Sequence, residues 1–296
     1  IMRPEAGMSL KEAGNFKGPY PSGAPAIFID TVARLGHSAG IIGGVGDDDF
    51  GNCILDRLKK DGVDCSKVLI SPSGTTGVAF VTYFEDGSRK FIYHIGNTPA
   101  VEPKAPSREE LKGINYFHVM GCSLMADPAF AAEIVKTMHF AIANGAKISF
   151  DPNIRKELLK DKSVMPVVQE VFEHTSIFMP GVDELLMLTE KKSVEEAVTK
   201  CFEKESIEII ILKRGSDGST VYTRSAAYQL GVYQVNAVDP TGAGDCFDGA
   251  CICGLIENLP LPEIMKLAAA AGALNTAAFG PMEGKISVEN IRHMIG

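Results

Sequence analysis

The stretch Ala237-Val238-Asp239-Pro240-Thr241-Gly242-Ala243-Gly244-Asp245-Cys246-Phe247-Asp248-Gly249-Ala250 governs the reading of the whole chain. Its Gly-Ala-Gly step opens a segment of helical apolar spacing, leaving backbone N–H groups unblocked by side chains at the positive end of a helix dipole. Such a turn is an anion hole. Asp245, just inside it, can accept a proton from a hydroxyl while the amides hold the negative charge of a transferring phosphoryl group. A plainer reading stays open, in which Asp239 or Asp245 caps the helix and the glycines only form the turn.

Outward from this stretch, strand-like and helix-like segments alternate, the pattern of an α/β sheet covered on both faces. Strands are expected at Ala39–Ile42, Ile114–Val119, Lys147–Phe150, Thr175–Met179 and Ile207–Leu212. Apolar residues at three- and four-residue spacing predict helices over Phe50–Asp61, Asp127–Asn144, Leu158–Glu173, Val194–Glu205, Asp245–Glu257 and Leu261–Ala277. Gly74–Tyr83, the Glu85-Asp86-Gly87-Ser88 turn and Arg89–Ile95 break the rhythm and read as a β-hairpin, placed to act as a lid.

Composition narrows the function classes. With 29 Lys+Arg against 37 Asp+Glu the net charge of the 296 residues is −8, which argues against a nucleic-acid partner. Apolar residues at 45% and scattered glycine and proline describe a globular chain rather than a disordered or fibrous one. No apolar run is long enough to span a membrane, and the first residues lack a secretory pattern. Seven cysteines without a CxxC pair read as reduced thiols, so a cytoplasmic location is expected. Cys246, Cys251 and Cys253 have no histidine at ligand spacing, and the Asp47-Asp48-Asp49 run precedes a helix and reads as its cap. Gly280–Lys285 lacks P-loop spacing, and the dispersed histidines give hydrolase chemistry no support.

The Ala237–Ala250 stretch resembles the C-terminal signature D-x-x-G-A-G-D-x-F of the ribokinase-like (PfkB) carbohydrate kinases. Gly43–Gly51 is similar to that family's N-terminal signature, and Asp151-Pro152-Asn153-Ile154-Arg155 to the D-x-N-x-R of its hexose and 2-keto-3-deoxygluconate kinases. Lys213–Gly218 and Ala271–Gly284 are similar to segments beside the nucleotide, and the resemblance covers nearly the whole chain. It implies an α/β fold with a doubly wound, mostly parallel sheet, helices on both faces and a small β lid. The core would be 20–73 and 101–296, and the lid 1–19 and 74–100.

The resemblance also implies roles. Asp245 is the catalytic base, with Gly242, Ala243 and Gly244 as the anion hole. Gly23, Ala24, Tyr93, Asn153, Arg155 and Asp245 meet the sugar, while Lys213, Gly215, Gly218, Gly242, Gly244 and Asn275 meet ATP. Glu184 acts on Mg²⁺ through water, and Asp239 with the Thr241 carbonyl holds a monovalent cation such as K⁺. Glu184 has a plainer reading as a first-turn acid favouring its helix dipole, and Arg155 as a surface arginine at a helix start. The expected reaction is transfer of the ATP γ-phosphoryl group to a primary hydroxyl of a fructose-like ketohexose or 2-keto-3-deoxygluconate. A homodimer paired through the lid is expected, because exposed sheet edges tend to be covered.

The chain departs from the pattern at Ser22 and Ile27, where Gly and a sugar-binding Asn are usual, and at Gly181, where an Asn precedes Glu184. It opens at Ile1-Met2-Arg3-Pro4, where relatives first have a buried strand, so about ten residues carrying that central strand are expected to be missing. Two alternatives follow: a nucleoside kinase of the same fold, and a catalytically weak sugar-binding regulator.

Overall fold

The chain runs β1 (Arg3–Pro4), β2 (Phe16–Lys17), α1 (Ala24–Arg34), β3 (Gly40–Gly46), α2 (Asp49–Lys60), β4 (Asp64–Ser71), β5 (Val78–Tyr83) and β6 (Arg89–His94). Next come β7 (Tyr116–Met120), α3 (Gly121–Leu124), α4 (Pro128–Ala143), β8 (Lys147–Asp151), α5 (Met165–Glu173), β9 (Ile177–Phe178), α6 (Val182–Thr189) and α7 (Val194–Phe202). The last elements are β10 (Ile209–Lys213), β11 (Ser219–Tyr222), β12 (Ala227–Leu230), α8 (Ala243–Ile256), α9 (Leu261–Thr276) and α10 (Val288–Ile295). The computed structural model describes residues 1–4, 7–84, 89–154 and 164–296. The hairpin turn expected at 85–88, Arg155, and the first part of the helix expected from Leu158 lie outside them.

The central sheet has six strands in the order β12-β11-β10-β9-β8-β7, with β7 to β10 mutually parallel and β11 and β12 antiparallel extensions. Period-two alternation sends neighbouring side chains to opposite faces, so each strand feeds two cores. In β10, Ile210 and Leu212 join Met138, Phe150 and Leu185 on one face, while Ile211 joins Phe28, Phe247 and Met265 on the other. The expected double winding follows from that split. Local signals set the helix starts: Asp48 caps α2 by accepting from the Gly51 amide at 2.8 Å, as expected of the Asp47–Asp49 run. Asp127 caps α4 in the same way, with Pro128 preset for the first turn.

Two further pieces flank the sheet. β3 and β4 form a separate parallel pair, and a cavity of 430 Å³ lies between β3 and β7, lined by residues of both. β5 and β6 form the expected antiparallel hairpin, and the Met2 backbone bonds β5 on either side, through Ala79 at 2.8 Å and Val81 at 3.1 Å. The segment before α1, whose β1 and β2 form their own antiparallel pair, is therefore bridged to the hairpin at Met2.

His118 on β7 is half-buried beside the 430 Å³ cavity, its ring stacked 3.8 Å from that of Phe28 and its Nδ1 2.9 Å from Ser149 Oγ. Burial, against the opposing field of Asp151, pushes its pKa from 6.5 down to about 3. Below 6.5 the unfolded chain binds a proton that the folded one refuses, so stability falls with acidification until about pH 3. The expected contribution is about 1.4 kcal/mol per pH unit within that window. Denaturant unfolding of His118→Gln between pH 7 and pH 4 should show a correspondingly shallower loss.

Candidate active site

Gly242 ends the loop before α8 at φ 81°, ψ −4°, a left-handed turn without side-chain cap. A Cβ there would stand 2.5 Å from the Pro281 carbonyl oxygen, so glycine is required by both conformation and space. Among the described residues the Gly242 and Gly244 amides meet no protein acceptor, whereas the Ala243 amide turns back to the Pro240 carbonyl at 3.3 Å. Two of the three expected donors are thus open to an anion. Asp245 follows in the first turn of α8, 6% exposed, and its Oδ1 accepts from Asn153 Nδ2 at 3.2 Å.

Asn153 is held at φ 40° just past β8, with its backbone amide on Asp151 Oδ1 at 3.0 Å and its Nδ2 also 3.2 Å from Asp151 Oδ2. Its Oδ1 is buried without a partner and remains available to a ligand hydroxyl. Asp151 in turn faces Lys213, whose Nζ lies 2.8 Å from Asp151 Oδ2 and 2.7 Å from Asp248 Oδ2. Burial would raise both carboxyls, yet the Lys213 charge carries Asp151 below its ordinary value, while burial leaves Asp248 well above. Lys213, expected at the nucleotide, has its ammonium between these two carboxyls. Asp151 and Asp248 were missed in the sequence; Asp248's position one turn beyond Asp245 was the available signal.

The remaining expected residues separate. Gly23, Ala24 and Tyr93 line a cavity of 350 Å³ together with Thr241, Gly242 and Asp245, so the structure brings these together. Ile27 lines the same cavity, and the Phe91 and Tyr93 rings stack at 5.2 Å on its hairpin side. Gly215 and Gly218, at φ 59° and 86°, shape the turn after β10. Asn275, expected at ATP, is fully buried and donates its amide to the Thr241 carbonyl at 2.8 Å, because α9 packs directly beneath that loop. Burial pushes the Cys246 thiol up to about 12, which removes it as a nucleophile.

The implied ions meet different fates. Glu184 accepts the Gly181 and Ile154 amides at 2.7 Å each, one on each oxygen, so that it ties the start of its own helix to the end of the β8 loop. One lone pair stays free on each oxygen, which fits a water-linked Mg²⁺. Among the described residues no three His, Cys, Asp or Glu side chains gather as a metal cage, so such an ion would rest on water and phosphate. A monovalent cation on Asp239 and the Thr241 carbonyl does not fit. Both Asp239 oxygens are bonded to Arg3 and each also accepts a backbone amide, from Thr241 and Gly280, while the Thr241 carbonyl already accepts from Asn275.

The pfkB family carbohydrate kinase model matches residues 10–287. "Probable fructokinase-4" of Arabidopsis thaliana is 30% identical over 287 residues, covering 93% of this chain and 87% of the relative. Fructokinase-1 of Oryza sativa subsp. japonica is 32% identical, covering 93% and 88%. A "putative Ribokinase II" from E. coli, solved in complex with ATP and Mg²⁺, superposes with a TM-score of 0.93 at 39% identity, covering 99% of this chain and 95% of that one. With the doubly wound sheet, the Gly242–Asp245 helix start and this match over most of its length, the chain belongs to the pfkB family of carbohydrate kinases, phosphotransferases acting on a sugar hydroxyl.

Proposed function

We propose that the chain transfers the γ-phosphoryl group of ATP to a primary hydroxyl of a fructose-like ketohexose, with 2-keto-3-deoxygluconate as the next acceptor. The observation that carries this reading is Asp245 beside the two open amides at the wall of the 350 Å³ cavity. Asp245 takes the proton of the acceptor hydroxyl as its oxygen bonds to the γ-phosphorus and the bond to ADP breaks. The Gly242 and Gly244 amides hold the equatorial phosphoryl oxygens, and Asn153 steadies Asp245. Mg²⁺, when bound, neutralises phosphate charge, with Glu184 as its water-linked anchor.

The names of the plant relatives favour fructose. The apolar wall of Ile27, Phe91 and Tyr93 favours a second reading, an acceptor carrying a flat substituent such as a nucleoside. ADP release from MgATP across fructose, 2-keto-3-deoxygluconate, ribose and adenosine separates the two. A kcat/KM for fructose at least about tenfold above adenosine is expected, and the reverse order overturns the ketohexose reading. Seven free thiols support a reducing, cytoplasmic setting. Ile92, 47% exposed on β6, supports pairing of two chains through the hairpin.

A further inference from the structure

Arg3 sits 4% exposed on β1, the strand that precedes α1 and bonds the hairpin, yet its guanidinium reaches the loop before α8. Nη1 lies 2.5 Å from Asp239 Oδ2 and Nη2 2.8 Å from Asp239 Oδ1, a bidentate fork, and Nη2 also bonds the Thr241 hydroxyl. The Tyr83 and Phe279 rings each stand 5.1 Å from the guanidinium carbon. Asp239 Oδ1 also accepts the Thr241 amide and Oδ2 the Gly280 amide, both at 2.9 Å. A carboxylate offers about four acceptor positions, and all are filled.

We infer that Arg3 is a tethered cation that holds the Asp239–Gly242 loop in place of a free monovalent ion, so that turnover is independent of K⁺. Asp239 is fully buried, and a buried carboxylate needs a counter-charge to stay ionised. In this chain the counter-charge is covalent and arrives on the strand that also bonds the hairpin. Arg3 therefore acts as a positioning residue for the anion hole, linking the seating of the hairpin to the charge beneath Gly242. The Tyr83 hydroxyl, 2.5 Å from that of Thr241, reinforces the link from β5.

The inference rests on the phosphoryl-transfer reading for its kinetic consequence, but not for its structural one. The test compares the full chain with Arg3→Gln and Arg3→Lys in potassium, sodium and tetramethylammonium chloride at equal ionic strength. It reads ADP release with the best acceptor and, separately, the melting temperature without substrates. Wild-type rates are expected to agree within about twofold across the salts, and Arg3→Gln to be slowed at least about tenfold in tetramethylammonium and partly restored by potassium. Arg3→Lys should keep the salt indifference. Potassium should raise the melting temperature of Arg3→Gln alone, since an ion bound only by the folded state stabilises it. Wild-type turnover activated about tenfold or more by potassium over tetramethylammonium overturns the inference. So does Arg3→Gln matching the wild type in every salt. If no acceptor is turned over, the kinase reading fails, and the melting series still decides the role of Arg3: a wild-type Tm raised by potassium overturns it. If Arg3→Gln does not fold, the wild-type and Arg3→Lys salt series decide alone.

Discussion

Asp245→Asn is expected to lower kcat by roughly 10²–10⁴ while leaving KM for the acceptor within a few-fold. The side chain keeps its size, and an Asn oxygen can still accept from Asn153, whose Nδ2 stands 3.2 Å from Asp245 Oδ1. The lost capacity is that of taking a proton. Fold stability should therefore change little, which separates a chemical defect from a structural one. ADP release under saturating acceptor, beside thermal unfolding of the same variant, makes the comparison. A kcat within tenfold of wild type would put the proton acceptor elsewhere. An equal loss in both measurements would return Asp245 to the capping reading.

Lys213→Met should produce the largest loss of stability, about 3–5 kcal/mol, because it strips the cation from the ionised Asp151 carboxylate and leaves it buried beside the Asp248 carboxyl. Asp151 is 2% exposed and Asp248 not at all, and both lie within hydrogen-bond distance of Nζ. Neither can recover hydration without opening the contact between α8 and the sheet. Urea unfolding measures the loss directly, through the midpoint at constant slope. Adding Asp151→Asn to the variant should recover part of it, since the buried charge is then gone. Unchanged stability in Lys213→Met would mean that the ammonium does not pair with these groups in solution. Because Asp151 orients Asn153, and Asn153 bonds Asp245, the variant should also lose activity at temperatures where it remains folded.

The legible parts of this molecule are those written in local spacing. β8, β10 and the α4, α8 and α9 helices appear at their expected places within a few residues, because apolar periodicity acts over one strand or a few turns. Elements that lean on neighbours were passed over. β11 and β12 are short extensions paired only to the sheet edge, whereas β9, expected at Thr175–Met179, forms over Ile177–Phe178 between β8 and β10. α1 starts behind Gly23 at φ 113°, a backbone feature that a search for apolar spacing does not register. In the site, Gly242, Gly244 and Asp245 were legible since one helix start carries them all. The contacts of Asn275 with Thr241 and of Lys213 with Asp151 and Asp248 were not legible, because a motif names a residue without saying which way its side chain points.

From the residues alone came the alternating α/β architecture, the hairpin and the helix start that carries Gly242, Gly244 and Asp245, the proposed anion hole and base, since each depends on spacing within one segment. The tertiary structure alone decided where the charges meet: Arg3 on Asp239 across 236 residues, Lys213 between Asp151 and Asp248, and Asn275 beneath Thr241. Those partners are chosen by which faces pack and by the need of every buried charge for a counter-charge, a condition that exists only once the chain is folded.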